Sequence, residues 1–341
     1  MRIAVIGFLL WAIIGPASAS ESSALAAYAF PPRNEQTREG VRTDALLVIR
    51  DGKVLFEHYA SPTNADTPHL TWSISKSVLA TVLGVAYGEG RFKLDDPAAK
   101  FHPPMQAHPQ VRLQDLLHWA SGLDWQEDYE YAPLKSSVVA MLYTRGRQDM
   151  AGFTAEHGVA APPGTRFLYS SGDSNVLAAA LRQMVGSDAY ADYPWRALFE
   201  PLGIRHAVWE RDAQGTFVGS SYLYLTARDL ARIGQLMLDD GRWQGRQLLP
   251  ADWVKFNRQP FDTPAEPGEA MPGGHWWLNS AGAWPDAPTD TFAALGHWGQ
   301  ALYVVPQQRL VIVRYADDRD GSFQHNTLLR HVLAAFPGEQ P

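Results

Sequence analysis

Ser73-Ile74-Ser75-Lys76-Ser77-Val78-Leu79-Ala80-Thr81-Val82-Leu83-Gly84-Val85-Ala86 reads as one helix with apolar residues on nearly every side. Ile74, Val78, Leu79, Val82, Leu83 and Val85 leave it no broad polar face, so it belongs inside a fold rather than on its surface. Gly88 and Gly90 supply a stop. Positions three apart on a helix share a face, so Lys76 can bring its amine beside the Ser73 hydroxyl. A serine needs a base to become a nucleophile, and lysine is a base only when neutral. Burial and nearby positive charge lower a lysine pKa. A shift from about 10.4 towards 7 requires roughly 4–5 kcal/mol. Ser-x-x-Lys is short, and a chain of this size contains about one by chance. Ser75 and Ser77 have no lysine three positions later.

Strand signals lie on both sides of this helix. Ala45-Leu46-Leu47-Val48-Ile49 and Val54-Leu55-Phe56 flank Asp51-Gly52, a pair that tolerates the positive φ of a tight hairpin turn. Near the C-terminus, Leu302-Tyr303-Val304-Val305 and Leu310-Val311-Ile312-Val313 flank Pro306-Gln307-Gln308 as a second hairpin. Residues 323–336 then carry Leu328, Leu329, Val332 and Leu333 at helical spacing. Further helices are predicted at 113–119, 174–185, 190–199 and 226–239. Pro162-Pro163-Gly164 and residues 264–274 read as loops, and no internal repeat is present. The pattern predicts an α+β fold, an antiparallel sheet flanked by helices with an inserted, mainly helical domain. Residues 27–71 and 271–338 would form the discontinuous sheet unit and 72–270 the helical one. A cleft where the two meet is the expected substrate site.

With 341 residues, 46% of them apolar, the chain can build one large core or two modest ones. The net charge of −7 without a basic run argues against a nucleic-acid partner. At the start, Met1-Arg2, an apolar run over 3–14, Gly15-Pro16 and Ala17-Ser18-Ala19 have the order of a cleaved export signal spanning 1–19. The run is shorter than the roughly 20 residues a spanning helix needs. An uncleaved N-terminal anchor is the alternative. Cleavage would place the protein in the periplasm or outside the cell, without stable membrane insertion. The absence of cysteine excludes disulfides, a thiolate nucleophile and cysteine-ligated zinc. The histidines have no convincing ligand spacing, so neither metal nor cofactor is expected. No oligomeric state is implied.

Two further elements can carry chemistry. Tyr169-Ser170-Ser171-Gly172-Asp173 offers a tyrosine that could relay a proton to a leaving group, particularly if Lys76 lowers its pKa; a buried packing tyrosine is the alternative. Gly296-His297-Trp298-Gly299-Gln300 enters the C-terminal hairpin. Gly299 would let backbone approach a ligand, and the next amide, Gln300 N–H, could join Ser73 N–H in an oxyanion hole. A histidine beside tryptophan is otherwise packing. Trp119, Trp125, Tyr129, Trp276, Trp277 and Trp298 sit in or beside loops that could line the cleft, or pack in the core.

The ordered set resembles the serine β-lactamase and penicillin-binding protein superfamily, in its class C β-lactamase-like branch. There, Tyr-x-Asn and Lys-Thr-Gly occupy the positions of Tyr169-Ser170-Ser171 and His297-Trp298-Gly299. Leu116-Leu117-His118-Trp119-Ala120-Ser121-Gly122-Leu123 is similar to that branch's Leu-Leu-x-x-x-Ser-Gly-Leu. The 169–173 stretch, Leu223-Tyr224-Leu225-Thr226-Ala227-Arg228-Asp229 and the 296–300 stretch are most similar to the subgroup named for 6-aminohexanoate-dimer hydrolase. The resemblance covers roughly residues 40–335. It implies Ser73 as nucleophile, Lys76 as its base and Tyr169 as acid and base for leaving group and water. It also implies Ser73 and Gln300 N–H as oxyanion donors, and Ser171, His297, Trp298 and Gly299 as substrate-binding residues. The departures bear on substrate. His297 is a weaker, pH-dependent cation than lysine, and Ser171 lacks the amide of asparagine. Both point away from penicillin and towards a small amide, oligoamide or ester. A penicillin or cell-wall peptide, or a non-catalytic binding module on the same fold, are the alternatives. There is no Gly-x-Ser-x-Gly, and Gly172-Asp173-Ser174 lacks the downstream Asp-x-x-His of the lipases it superficially resembles.

Overall fold

Helix α1 (Ala19–Ala29) leads into the hairpin of β1 (Thr43–Arg50) and β2 (Lys53–Tyr59), which turns at Asp51 and Gly52 with φ of 48° and 76°. The structure, a computed structural model, describes residues 19–338 apart from Arg33, Glu35 and 265–267. Except for Ala19, the expected export signal lies outside the described residues. On its other edge β1 pairs antiparallel with β12 (Leu310–Ala316), from the far end of the chain, Leu47 lying opposite Val313. Next come β11 (Gln300–Val305), β10 (Phe292–Gly296) and the two-residue strands β9 (Trp277–Leu278) and β8 (Met271–Pro272). Together they make a seven-stranded antiparallel sheet in the order β2-β1-β12-β11-β10-β9-β8.

Both faces of the sheet's centre are covered, so β11 and β12 are buried at every position. Strand alternation sorts β1 between two cores. Leu46 and Val48 pack with Tyr303 and Ile312 against α1 and α10 (His325–Ala335), through Leu25, Leu328 and Val332. Leu47 and Ile49 face the larger core with α2 (Ile74–Gly88). Residues 74–86 of α2 are all buried. Each leucine there contributes about 1.5–3 kcal/mol of burial.

Between β2 and β8 the chain is mainly helical. After the short β3 (His69–Leu70) and α2 come α3 (Leu113–Leu117), α4 (Ser137–Tyr143), α5 (Met150–Ala155), α6 (Ser171–Val185) and α7 (Ser187–Tyr190). Strands β4 (Val208–Trp209) and β5 (Leu223–Leu225) join β3 in a small sheet. Then follow α8 (Ala227–Leu238), the ribbon of β6 (Arg242–Trp243) and β7 (Arg246–Gln247), and α9 (Ala251–Asn257).

Three expectations change. The helix predicted at 190–199 is two pieces, because α7 ends at Tyr190 and a separate π-helical turn spans Trp195–Phe199. Pro194, without an N–H to continue a helix, precedes that turn. The stretch 264–274, read as loop, contains β8. Helix α8, expected with the helical insert, lies on the sheet: a Cβ on Gly234 would sit 2.5 Å from Val311 Cγ1 and 2.8 Å from Leu302 Cδ1. Among the described residues no helix is long and apolar enough to cross a membrane.

Candidate active site

Ser73 is the N-cap of α2, and Lys76 lies in the first turn, so the three-residue spacing becomes contact. Lys76 Nζ is 2.8 Å from Ser73 Oγ and 3.0 Å from the Ser220 carbonyl. Ser73 is partly exposed whereas Lys76 is 1% exposed. Burial pushes the Lys76 amine down to about 8, against the opposing pull of the Glu127 carboxylate. When neutral, the amine gives an N–H to Ser220 O and turns its lone pair to the Ser73 hydroxyl.

Tyr169 arrives from far along the chain, just before α6. It shares one cavity wall with Ser73. Lys76 Nζ stands 4.9 Å from the centroid of its ring. Burial, reinforced by Glu127, raises the phenol well above its ordinary value. That corrects the expectation of a phenol lowered by Lys76: the resting group is a proton donor. Its ring is held by a column of aromatics. Trp119 lies 4.9 Å from Tyr169, 5.2 Å from Trp277 and 4.7 Å from His275. His275 is fully buried and pushed down to about 3 by desolvation, hence neutral. Nδ1–H therefore donates to Leu117 O at 2.7 Å, and Nε2 accepts from Ser174 Oγ at 2.9 Å. The column is thereby pinned to α3 and α6.

A cavity of about 500 Å³ opens on Ser73. Its walls include Glu127, Tyr129, Glu130, Tyr169 and Trp277, and a stretch of Leu295, Gly296 and His297. The strand end is close because residue 296 is glycine. A Cβ there would stand 2.5 Å from Thr71 O, two residues before the nucleophile. Gly299 has another reason to be glycine. At φ 86°, it leaves room for Arg314 and Asp318, which a Cβ would meet at 2.5 and 2.6 Å, not for a ligand. Arg314 also donates to Gly299 O at 2.9 Å and anchors the turn.

The remaining residues singled out from sequence fall as follows. His297 lines the cavity and pairs with Glu130. Trp298 does not line it; the Arg319 guanidinium lies 3.9 Å from its ring centroid. Gln300 is 1% exposed, and its amide braces the turn and β12, with Nε2 2.7 Å from Ala316 O and Oε1 accepting from Ala316 N–H at 2.9 Å. Ser171 gives its hydroxyl to Glu127 at 2.5 Å rather than presenting it to the cavity. Tyr129 and Trp277 line the cavity, but Trp119, Trp125 and Trp276 are buried at 1% exposure or less and do not. Sequence reasoning missed Glu127, Ser220, Gly296 and His275. The signal for the first was present: Glu127-Asp128-Tyr129-Glu130-Tyr131, an acidic and aromatic run three residues beyond the Ser121-Gly122-Leu123 segment. Among the described residues, no group of three or more His, Asp or Glu side chains could hold a metal ion.

The sequence profile of the family described as Beta-lactamase matches residues 31–335. The 6-aminohexanoate-dimer hydrolase of Paenarthrobacter ureafaciens is 28% identical over 314 residues, covering 86% of this chain and 77% of that protein. Among solved structures, EstCE1, described as a hydrolase with promiscuous acyltransferase activity, superposes with a TM-score of 0.74 at 16% identity, covering 94% of this chain and 99% of that one. A class C β-lactamase in complex with cefoxitin superposes with a TM-score of 0.68 at 16% identity, covering 93% and 99%. The two superpositions show the shared fold. The profile match places the chain in the Beta-lactamase family of serine hydrolases.

Proposed function

We propose that this member of the Beta-lactamase family hydrolyses a small amide, oligoamide or ester through an acyl-enzyme on Ser73. One observation carries the reading: Ser73 and Tyr169 line one cavity, and the depressed amine of Lys76, behind them, is 2.8 Å from Ser73 Oγ and 4.9 Å from the Tyr169 ring centroid. Neutral Lys76 takes the Ser73 proton as Oγ attacks the substrate carbonyl. Two backbone N–H groups would hold the oxyanion, that of Ser73 at the start of α2 and that of Gln300 at the start of β11. As the tetrahedral intermediate collapses, the bond to the leaving group breaks and Tyr169 gives that group its proton. The phenolate recovers a proton from the Lys76 ammonium. Water then attacks the ester on Ser73, its proton passes to the Lys76–Tyr169 pair, and Oγ leaves with a proton restored.

The 1–19 stretch supports export to the periplasm or medium. The likeness to 6-aminohexanoate-dimer hydrolase favours a linear amide among the substrate classes. The test is intact mass after incubation with a small panel of activated esters and linear amides, alongside turnover by wild type and Ser73→Ala. An acyl adduct on Ser73 and loss of turnover in the variant are expected. Turnover that survives Ser73→Ala would overturn the proposal.

A further inference from the structure

We propose that Glu127 is a positioning residue for this chemistry: its carboxylate, pinned in the cavity wall by Trp125 and Ser171, is the fixed negative charge against which Lys76 keeps or releases its proton. The inference rests on the hydrolase reading above and adds a group that neither the motifs nor the relatives' names assign.

The geometry is specific. Trp125 Nε1–H donates to Oε2 at 2.5 Å, Ser171 N–H donates to the same oxygen at 2.9 Å, and Ser171 Oγ–H donates to Oε1 at 2.5 Å. Trp125 and Ser171 are each 1% exposed, so the donors cannot easily move away. All three are neutral, which fixes the carboxylate without cancelling its charge. Ser171 begins α6 two residues after Tyr169, so the carboxylate is tied to the segment that delivers the phenol. It also shares the cavity wall with Ser73.

Several titratable groups face this cluster. Lys76 comes from α2, Tyr169 and Asp173 from the entry to α6, and Asp128, Tyr129 and Glu130 from Glu127's own segment, with His297 paired to Glu130. Tyr143 and Tyr222 act on Tyr129, and Lys76 acts on His275. The Tyr129, Tyr169 and Tyr222 phenols are raised by burial and His275 is neutral. Near neutral pH, the charges that change within the inner cluster are those of Lys76 and of Asp173, whose buried carboxyl is pushed up to about 7.

A nearby carboxylate favours the ammonium form, whereas burial favours the amine. Glu127 therefore holds Lys76 at a compromise: neutral often enough to accept a proton, basic enough to keep it through the attack. The same charge disfavours a phenolate at Tyr169, which preserves its proton for the leaving group.

The experiment follows the rate at which an activated ester or a fluorophosphonate acylates Ser73, as a function of pH, in wild type, Glu127→Gln and Glu127→Asp. Intact mass and peptide mapping place the adduct, and thermal melts check folding. Glu127→Gln is expected to move the acid limb to lower pH by about 0.5–1 unit, since burial then acts on Lys76 without opposition. Glu127→Asp, which keeps the charge, should restore the wild-type limb. The shift should persist in an Asp173→Asn background, which removes the other carboxyl titrating in this range. Should Glu127→Gln fail to fold, Glu127→Ala also removes the charge and carries the same expectation. A limb that stays in place while only the plateau falls would reduce Glu127 to a structural brace and overturn the proposal alone. No adduct on wild-type Ser73 at any pH would overturn the hydrolase reading and this inference with it.

Discussion

His297 reaches across the cavity wall to Glu130, its Nε2 2.9 Å from the carboxylate oxygen. By the sequence resemblance the histidine takes the place of the Lys-Thr-Gly lysine, and burial lowers its pKa despite Glu130. That end of the cavity thus offers a paired imidazole instead of a free ammonium, with Glu127, Asp128 and Glu130 nearby.

Substrates with a carboxylate close to the scissile bond should therefore be poor. Neutral esters or amides are expected to exceed nitrocefin in kcat/KM by about 10²-fold, the worth of one lost charged contact. The double variant His297→Lys/Glu130→Gln should narrow that gap through a lower KM for nitrocefin. Comparable wild-type turnover of both classes would contradict this account.

The pH dependence of acylation follows from Lys76. The amine, pushed down to about 8, is protonated and inert as a base below that value and neutral above it. The acylation rate should accordingly rise with pH through a midpoint near 8, where an ordinary lysine would give a limb above 10. Stopped-flow acylation across that range is the measurement, and a rate independent of pH would exclude Lys76 as the base.

Tyr169→Phe removes the proton donor but leaves Ser73 and Lys76 in place. Amide turnover should fall by about 10²–10⁴-fold, the usual worth of a general acid. A nitrophenyl ester needs little protonation of its leaving group, so it should lose much less. Equal losses on the two substrates would argue that the tyrosine only packs.

Stability should depend on Arg314, which with Asp318 forms a pair whose side chains are 0% and 3% exposed. Removing one partner strands a buried charge, so Asp318→Ala should cost about 3 kcal/mol in urea unfolding. Carbonyls of Gly299 and Arg42 still accept from the guanidinium, which keeps the loss at the low end of such cases. A change below about 1 kcal/mol would mean that the pair is not holding the turn.

Much of this molecule can be read from its residues, for reasons that differ by element. Strands β11 and β12 and the 45–49 stretch of β1 are mostly apolar because both sides of them are covered, and their hairpins carry turn residues. Ser73 and Lys76 are local, so helical spacing alone brings them together. The residues alone left Tyr169 open between proton relay and packing, since its approach to Ser73 depends on the packing of α6 against α2, and only the resemblance favoured the relay. Glu127 stands in an acidic and aromatic run, but that run does not single it out: two of its three anchors come from Ser171, which is remote in sequence and was itself assigned to substrate. The reading of Gly299 missed because glycine makes room in every direction, and here the occupant is Arg314 rather than a ligand. Strands β8 and β9, two residues each, are too short to leave an alternation.

The position of β12 between β1 and β11 has a consequence for biogenesis. A nascent chain emerging from the ribosome can form the first hairpin and the helices of the middle, but it cannot join the two ends until Leu310–Ala316 have been made. Completion of the sheet therefore waits on that late strand. A stop codon placed before that strand would leave two unmatched fragments of sheet.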